Sequence, residues 1–380
     1  MTRPEEPLPP ELSPRRQAAE LGGVPAEGQR VRPPKRERGG RKGRRRRWLR
    51  IGVAVLCTLV LLLAATLGGT FVWADHKLVK VDAITDYGGR PADGPGTNWL
   101  LVGSDSRAGL TSEQQQALHV GSDTGINTDT IMVLHKGSNG PVLMSIPRDS
   151  YVPIPAYTDS SGVRHSGTKD KINAAYAAGG PQLLVKTVEE NTGIRIDHYT
   201  EVGFTGVVNI VNALGGVPIC LSQPVVDSKS GADLPAGCQT LNGTQALQLV
   251  RTRYSLPNSD LSRIQNQQQF MRSMADQVLK PGTLLNPFTL YPFLDACLDS
   301  LTVDQGSGLW TLGQFGYQLY KVSGSKGKSV TVPLATENYT TPSGASAVLW
   351  SSSGSATLFS EIQNDRPVTA ATNPSGTVGG

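Results

Sequence analysis

Apolar and polar positions follow three rhythms along this chain. Residues 52 to 73, GVAVLCTLVLLLAATLGGTFVW, contain no charged side chain, and at ~1.5 Å of rise per residue such a run crosses a hydrocarbon core of about 30 Å. Short apolar runs bounded by turn residues follow. NWLLVG (98–103), TIMVLHK (130–136) and PVLMSIP (141–147) predict strands, the last two joined as a hairpin by GSNG. Helical spacing then takes over in INAAYAA and GGPQLLVKTVEENTG, where Pro181 suits a first helical position and Gly193 a C-terminal stop. RIDHYTEV alternates as a strand, while FTGVVNIVNALGG and LNGTQALQLV predict helices. Leu261, Ile264, Met271, Met274 and Val278 recur at three- and four-residue intervals and predict one long amphipathic helix capped by Asp260. Beyond residue 281 the pattern weakens, with SVTVPLA read as a strand and ASAVLWSSSGSATLFSEIQ as a closing helix. Strands interspersed with helices predict an α/β fold: an α-β-α layered sandwich with a central mixed sheet, preceded by one transmembrane helix.

Charge refines the organisation. Residues 1–50 hold 15 Lys+Arg and 6 Asp+Glu, a net of +9, which leaves 21 basic and 25 acidic residues in the rest, a net of −4. The expected layout is a disordered basic cytoplasmic tail (1–50), a transmembrane helix (51–73), an extracellular linker (74–96), a folded α/β domain (97–365) and a disordered C-terminal tail (366–380). The run RKGRRRRWLR before the apolar segment sets the N-terminus in the cytoplasm and everything after Trp73 outside. A cleaved signal peptide is the rival reading, but the apolar run is long and starts far from residue 1. The arginine run flanks a membrane segment, so membrane lipid is the expected partner and no nucleic acid is expected. Of four cysteines, Cys57 lies in the apolar run. Cys220 and Cys238 bracket a polar loop whose closure would contribute roughly 3 kcal/mol, and they are expected to be bridged. Cys297 is expected to be a buried free thiol. No pair has zinc spacing.

Three polar clusters sit at strand ends: GSDSR with Asp105 and Arg107, NTDT with Asp129, and IPRD with Arg148 and Asp149. Loops at strand ends of layered α/β domains are the usual ligand crevice. A fourth stretch, LVRTRYSLPNSDLSR (249–263), holds Arg251, Arg253 and Arg263 around Asp260. Three guanidiniums so close either point apart into water or share an anion. Arginine's rigid fork suits phosphate, and two aspartates without His or Cys suit Mg²⁺, with Mn²⁺ as the alternative. Together these residues predict a pyrophosphate clamp. Taken singly, Asp105 or Asp129 reads equally as a turn residue, and the arginines as a solvated helix face or partners of Asp260.

NWLLVGSDSR, TDTIMV, SIPRD, KINAAY, LGGV, LNGTQAL, RTRY and SDLSRIQ occur in the order found in the LytR-CpsA-Psr family of membrane-anchored cell-wall ligases, which this chain resembles over roughly residues 97–275 and onward to about 365. The resemblance implies a phosphotransferase that moves a glycopolymer from a polyprenyl-pyrophosphate carrier to the muramic acid 6-hydroxyl of peptidoglycan. It further implies Asp105 and Asp129 as Mg²⁺ ligands, and Arg148, Arg251, Arg253 and Arg263 as pyrophosphate-binding residues supported by Arg107 and Asp260. Asp105 or Asp149 is the candidate proton acceptor. Many relatives carry arginine where this chain has Asn127 and Asn266. The alternatives are a hydrolase of the same lipid pyrophosphate, a membrane-bound regulator, and a non-catalytic glycan-lipid binder.

Overall fold

The structure, a computed structural model, describes residues 40–106, 112–118, 128–159, 161–252, 259–323 and 326–369. The chain divides into two units at Ala64 and Ala65. Helix α1 (Gly40–Lys77) begins inside the predicted tail and ends inside the predicted linker. Its segment Arg46–Lys77 is long and apolar enough to cross a membrane. The rest of the tail, residues 1–39, lies outside the described residues.

The larger unit is built on seven strands: β1 (Val79–Val81), β2 (Thr97–Ser104), β3 (Thr128–Gly137), β4 (Gly140–Ile146), β5 (His198–Val202), β6 (Leu301–Asp304) and β7 (Lys328–Thr331), in the order β1-β6-β5-β2-β3-β4-β7. Three pairings are parallel (β1 with β6, β5 with β2, β4 with β7) and three antiparallel, which is the expected mixed sheet. The β3–β4 hairpin turns as predicted, with Gly137 opposite Gly140.

Period-two alternation sorts the strands between two cores. Leu100, Val102, Ile131, Val133 and Met144 face helices α2 (Ile172–Thr192) and α8 (Ser352–Gln363). Trp99, Leu101, Leu134 and Leu143 face α7 (Leu309–Ser323). Between these helices in sequence lie α3 (Phe204–Ala213), α4 (Gly243–Arg251), α5 (Ser259–Leu279) and α6 (Pro287–Ser300). Gly180, at φ +66°, breaks α2 before Pro181 opens its second half, and Gly193 ends it in the left-handed region. A capping box on Asn242 and Gln245 starts α4, and Gly243 lies so close to α3 that a Cβ would sit 2.3 Å from the Val208 carbonyl oxygen.

Four expectations need correction. Helix α5 begins at Ser259, so Asp260 lies inside its first turn instead of preceding it. SVTVPLA breaks at Pro333, which has no N–H to give a ladder, into β7 and a second strand, Leu334–Thr340. The closing segment starts as a strand, Ser346–Trp350, before Ser351 caps α8 by accepting from the Gly354 N–H. Residues 74–96 are not a free connector. They supply β1, and Arg90 and Tyr87 bond to buried Glu189 on α2 (3.1 and 3.0 Å). Cys220 and Cys238 are bridged across the ribbon Val217–Leu221/Gly237–Leu241, as expected. Cys297 is a free thiol as expected but only partly buried, and the burial it has pushes it up to about 12.

Candidate active site: charged strand ends on an apolar cavity

The second face of the sheet is only partly filled, by Phe315 and Val322 of α7 against Trp99, Leu101, Leu134 and Leu143. Between it and helices α3, α5, α6 and α7 lies a cavity of about 1400 Å³, walled by Leu101 and Met132 from the sheet and by residues such as Ile210, Met274, Leu294 and Leu312 from the helices. Where the strands end, the lining turns polar: Asp105, Asp129, Arg148, Asp149, Lys171 and Arg251, with Asp227 and Lys229.

The charges are ordered. Arg148 pairs with Asp129 through Nη1 and with Asp149 through Nε (3.4 Å), while the other Asp149 oxygen lies 3.0 Å from Lys171 Nζ. All four side chains are partly exposed to the cavity, so their charges are only partly desolvated. Arg251, in the last turn of α4, donates Nη1–H to the Leu118 carbonyl (2.6 Å) and lies 4.9 Å from the centre of the Phe204 ring, a cation–π contact that fixes its direction. Beneath this row, Glu201 on β5 accepts from the Tyr176 and Tyr199 hydroxyls (2.8 and 2.7 Å). Burial first, and then the Glu201 charge, raises both phenols above their ordinary range, and the Asp105 charge acts on Tyr176 in the same sense. Both therefore stay protonated as donors.

The donor set fits a hard cation. Ser104 and Thr128 face each other across β2 and β3, immediately before Asp105 and Asp129. Their hydroxyl oxygens are buried without a hydrogen-bond partner among the described residues. Asp105 and Asp129 both line the cavity, and carboxylate oxygens are donors of the kind Mg²⁺ takes. No group of three or more His, Cys, Asp or Glu suited to a metal occurs among the described residues. An ion here would therefore complete its shell with ligand or water oxygens.

Of the residues singled out by sequence, Asp105, Asp129, Arg148, Asp149 and Arg251 line one cavity. Arg107, Arg253 and Asn127 lie outside the described residues. Asp260, Arg263 and Asn266 belong to the first half of α5, with side chains outside those described. Sequence reasoning missed Lys171, Lys229 and the Glu201 cluster. Lys171 and Tyr176 were within reach as the ends of KINAAY, whereas no periodicity connects Lys229, in the disulfide loop, with the strand ends.

Comparison with known proteins agrees with this architecture. The LytR_cpsA_psr family matches residues 75–353. "Probable cell wall biosynthesis protein LcpB" of Corynebacterium glutamicum is 40% identical over 339 residues, 88% of this chain and 77% of its own. "Polyisoprenyl-teichoic acid--peptidoglycan teichoic acid transferase TagU" of Enterococcus faecalis is 32% identical over 205 residues, 54% of this chain and 60% of its own. The solved "LytR-Csp2A-Psr enzyme from Actinomyces oris" has the same fold, with a TM-score of 0.55 at 21% identity over 76% of this chain and 96% of its own. The chain belongs to the LytR-CpsA-Psr family, whose members include proteins named for cell wall biosynthesis and for teichoic acid transfer to peptidoglycan.

Proposed function

We propose that this chain is a membrane-anchored phosphotransferase, N-terminus cytoplasmic and catalytic domain outside, that moves a glycopolymer from a polyprenyl-pyrophosphate carrier to the muramic acid 6-hydroxyl of peptidoglycan. The observation that carries the reading is a single cavity with an apolar body and a charged end. Its volume of about 1400 Å³ exceeds the ~300–1,000 Å³ of ordinary small-molecule sites, as a prenyl chain requires. The names of LcpB and TagU support the cell wall as the place of action.

In this reading Arg148, Arg251, Lys171 and the arginines on and before α5, Arg253 and Arg263, hold the diphosphate, with Arg107 and Asp260 supporting them. The acceptor hydroxyl oxygen attacks the sugar-side phosphorus in line, and a new P–O bond forms as the phosphoanhydride bond breaks. Polyprenyl phosphate leaves with the bonding pair, and the hydroxyl proton passes to Asp105 or Asp149. The two Asp149 oxygens face Lys171 and Arg148. Mg²⁺ held by Asp105 and Asp129 would supply neutralisation of the phosphate charge. Positioning and charge stabilisation suffice for such chemistry without a protein nucleophile.

The test is product analysis. Full-length protein in detergent is incubated with a radiolabelled lipid-linked glycan and a peptidoglycan fragment, with Mg²⁺ or with EDTA. Label on the fragment only with Mg²⁺, and lost in Asp129→Asn, is the expected result. Free phosphorylated glycan would mark a hydrolase, and no turnover a binder or regulator.

A further inference from the structure

Helix α6 stands between the cavity and the end of α1. Phe293, Leu294 and Cys297 line the cavity, while the Tyr291 hydroxyl lies 2.6 Å from Thr70 Oγ1 and its ring 6.3 Å from that of Trp73. One and two turns further on, Asp295 and Asp299 both pair with Lys77, the latter at 2.9 Å. The contacts advance in step, from 291 beside 70 and 73 to 295 and 299 beside 77, so the two helices run side by side in the same direction. All these residues belong to the same unit.

Charge and exposure divide at the Tyr291–Trp73 level. Toward the domain lie Asp75, Lys77, Asp295 and Asp299. In the other direction the chain carries no charge from Lys280 to Asp295, nor does α1 from Arg50 to Asp75. The start of α6 therefore sits roughly 6 Å beyond Tyr291, about one turn, abreast of the end of the apolar run of α1. There Phe288 is 88% exposed, and in the turn just before the helix Leu285 is 82% and Leu284 42% exposed. Large apolar side chains left bare together call for a cover, and Trp and Tyr side by side are what a membrane–water boundary collects.

We infer that the first turn of α6, with Leu284, Leu285 and Phe288, dips into the outer leaflet of the lipid bilayer. The inference rests on α1 being the membrane anchor proposed above. Its consequence is that one helix is seated in the leaflet at its start and lines the cavity further along. The prenyl carrier then enters the cavity along α6 without crossing water.

The test uses the full chain in vesicles of phosphatidylethanolamine and phosphatidylglycerol, with a photoreactive p-benzoylphenylalanine at position 288, 61 or 163 in turn. Position 61 reports the anchor itself, and Val163 is exposed elsewhere on the domain. Lipid adducts at 61 and at 288, both about tenfold above 163, are the expected result. Adducts at 61 but not at 288 overturn the dip and leave the anchor standing. Their absence at 61 overturns both, and a crosslink from 288 to a second copy of the chain assigns the face to self-association and overturns the dip. As a second readout, joint replacement Leu285→Ser and Phe288→Ser leaves thermal stability unchanged. It slows uptake of a fluorescent prenyl pyrophosphate from vesicles by about tenfold but not from detergent micelles. Equal slowing from both sources would overturn the inference.

Discussion

Arg148 and Glu189 are both ion-paired, yet their surroundings give them different tasks. Arg148 is partly open to the cavity and shared between Asp129 and Asp149, so its pairing contributes little to stability, about 0.2–1 kcal/mol. Arg148→Ala is expected to melt within a few degrees of the native chain but to lower glycan transfer about 10²–10³-fold, the usual cost of removing a charge-stabilising donor. Glu189 is fully buried and accepts from Arg90, Tyr87 and the Ile196 N–H. Glu189→Ala leaves Arg90 without its buried partner and is expected to cost about 3–5 kcal/mol in urea denaturation. A midpoint unchanged from the native chain would contradict that role. The first residue was legible in sequence because it ends a strand in a cluster with an acid. Glu189 was not, because its side-chain partners lie 99 and 102 positions away and a glutamate in a helix reads as solvated.

Among elements, those with one dominant rhythm were readable: β2 to β5, both halves of α2, and α3 to α5. Helices α6 and α7 escaped because Pro287 and Pro292, or Gly313 and Gly316, interrupt their apolar spacing, and β1 is three residues long. Strand β6 was hidden in turn by the unread helices around it, yet its last residue anchors the sheet. Asp304 is buried, which alone would raise its carboxyl. Its bonds with His198, Ser307 and the Tyr199 N–H outweigh burial and hold it below the ordinary carboxylate range. A depressed folded value means that this stabilisation is complete above about pH 4, the unfolded value, and is lost as pH falls through the folded one. Asp304→Asn is therefore expected to flatten the acid limb of stability against pH. An acid limb as steep as in the native chain would show that Asp304 does not contribute.

At the scale of the molecule, the decisive feature is the inequality of the two sheet faces. One is packed by α2 and α8, while the other packs on α7 over part of its area and leaves the cavity over the rest. Sequence could not reveal this, since an apolar helix face reads the same whether it meets a sheet or an empty slot. Strand-end charges were legible one by one, and only the fold brings Asp105, Asp129, Arg148 and Arg251 to the lining of one cavity. The central claim is that its charged end holds a diphosphate with a divalent ion while the body holds its prenyl chain. The most direct measurement is the affinity of the full-length protein in detergent for a prenyl pyrophosphate, against the matching monophosphate and alcohol, with Mg²⁺ and with EDTA. The account predicts the pyrophosphate to bind tightest, and to weaken about tenfold or more both on metal removal and in Arg148→Ala. Equal affinity for all three compounds, indifferent to the metal, would contradict it.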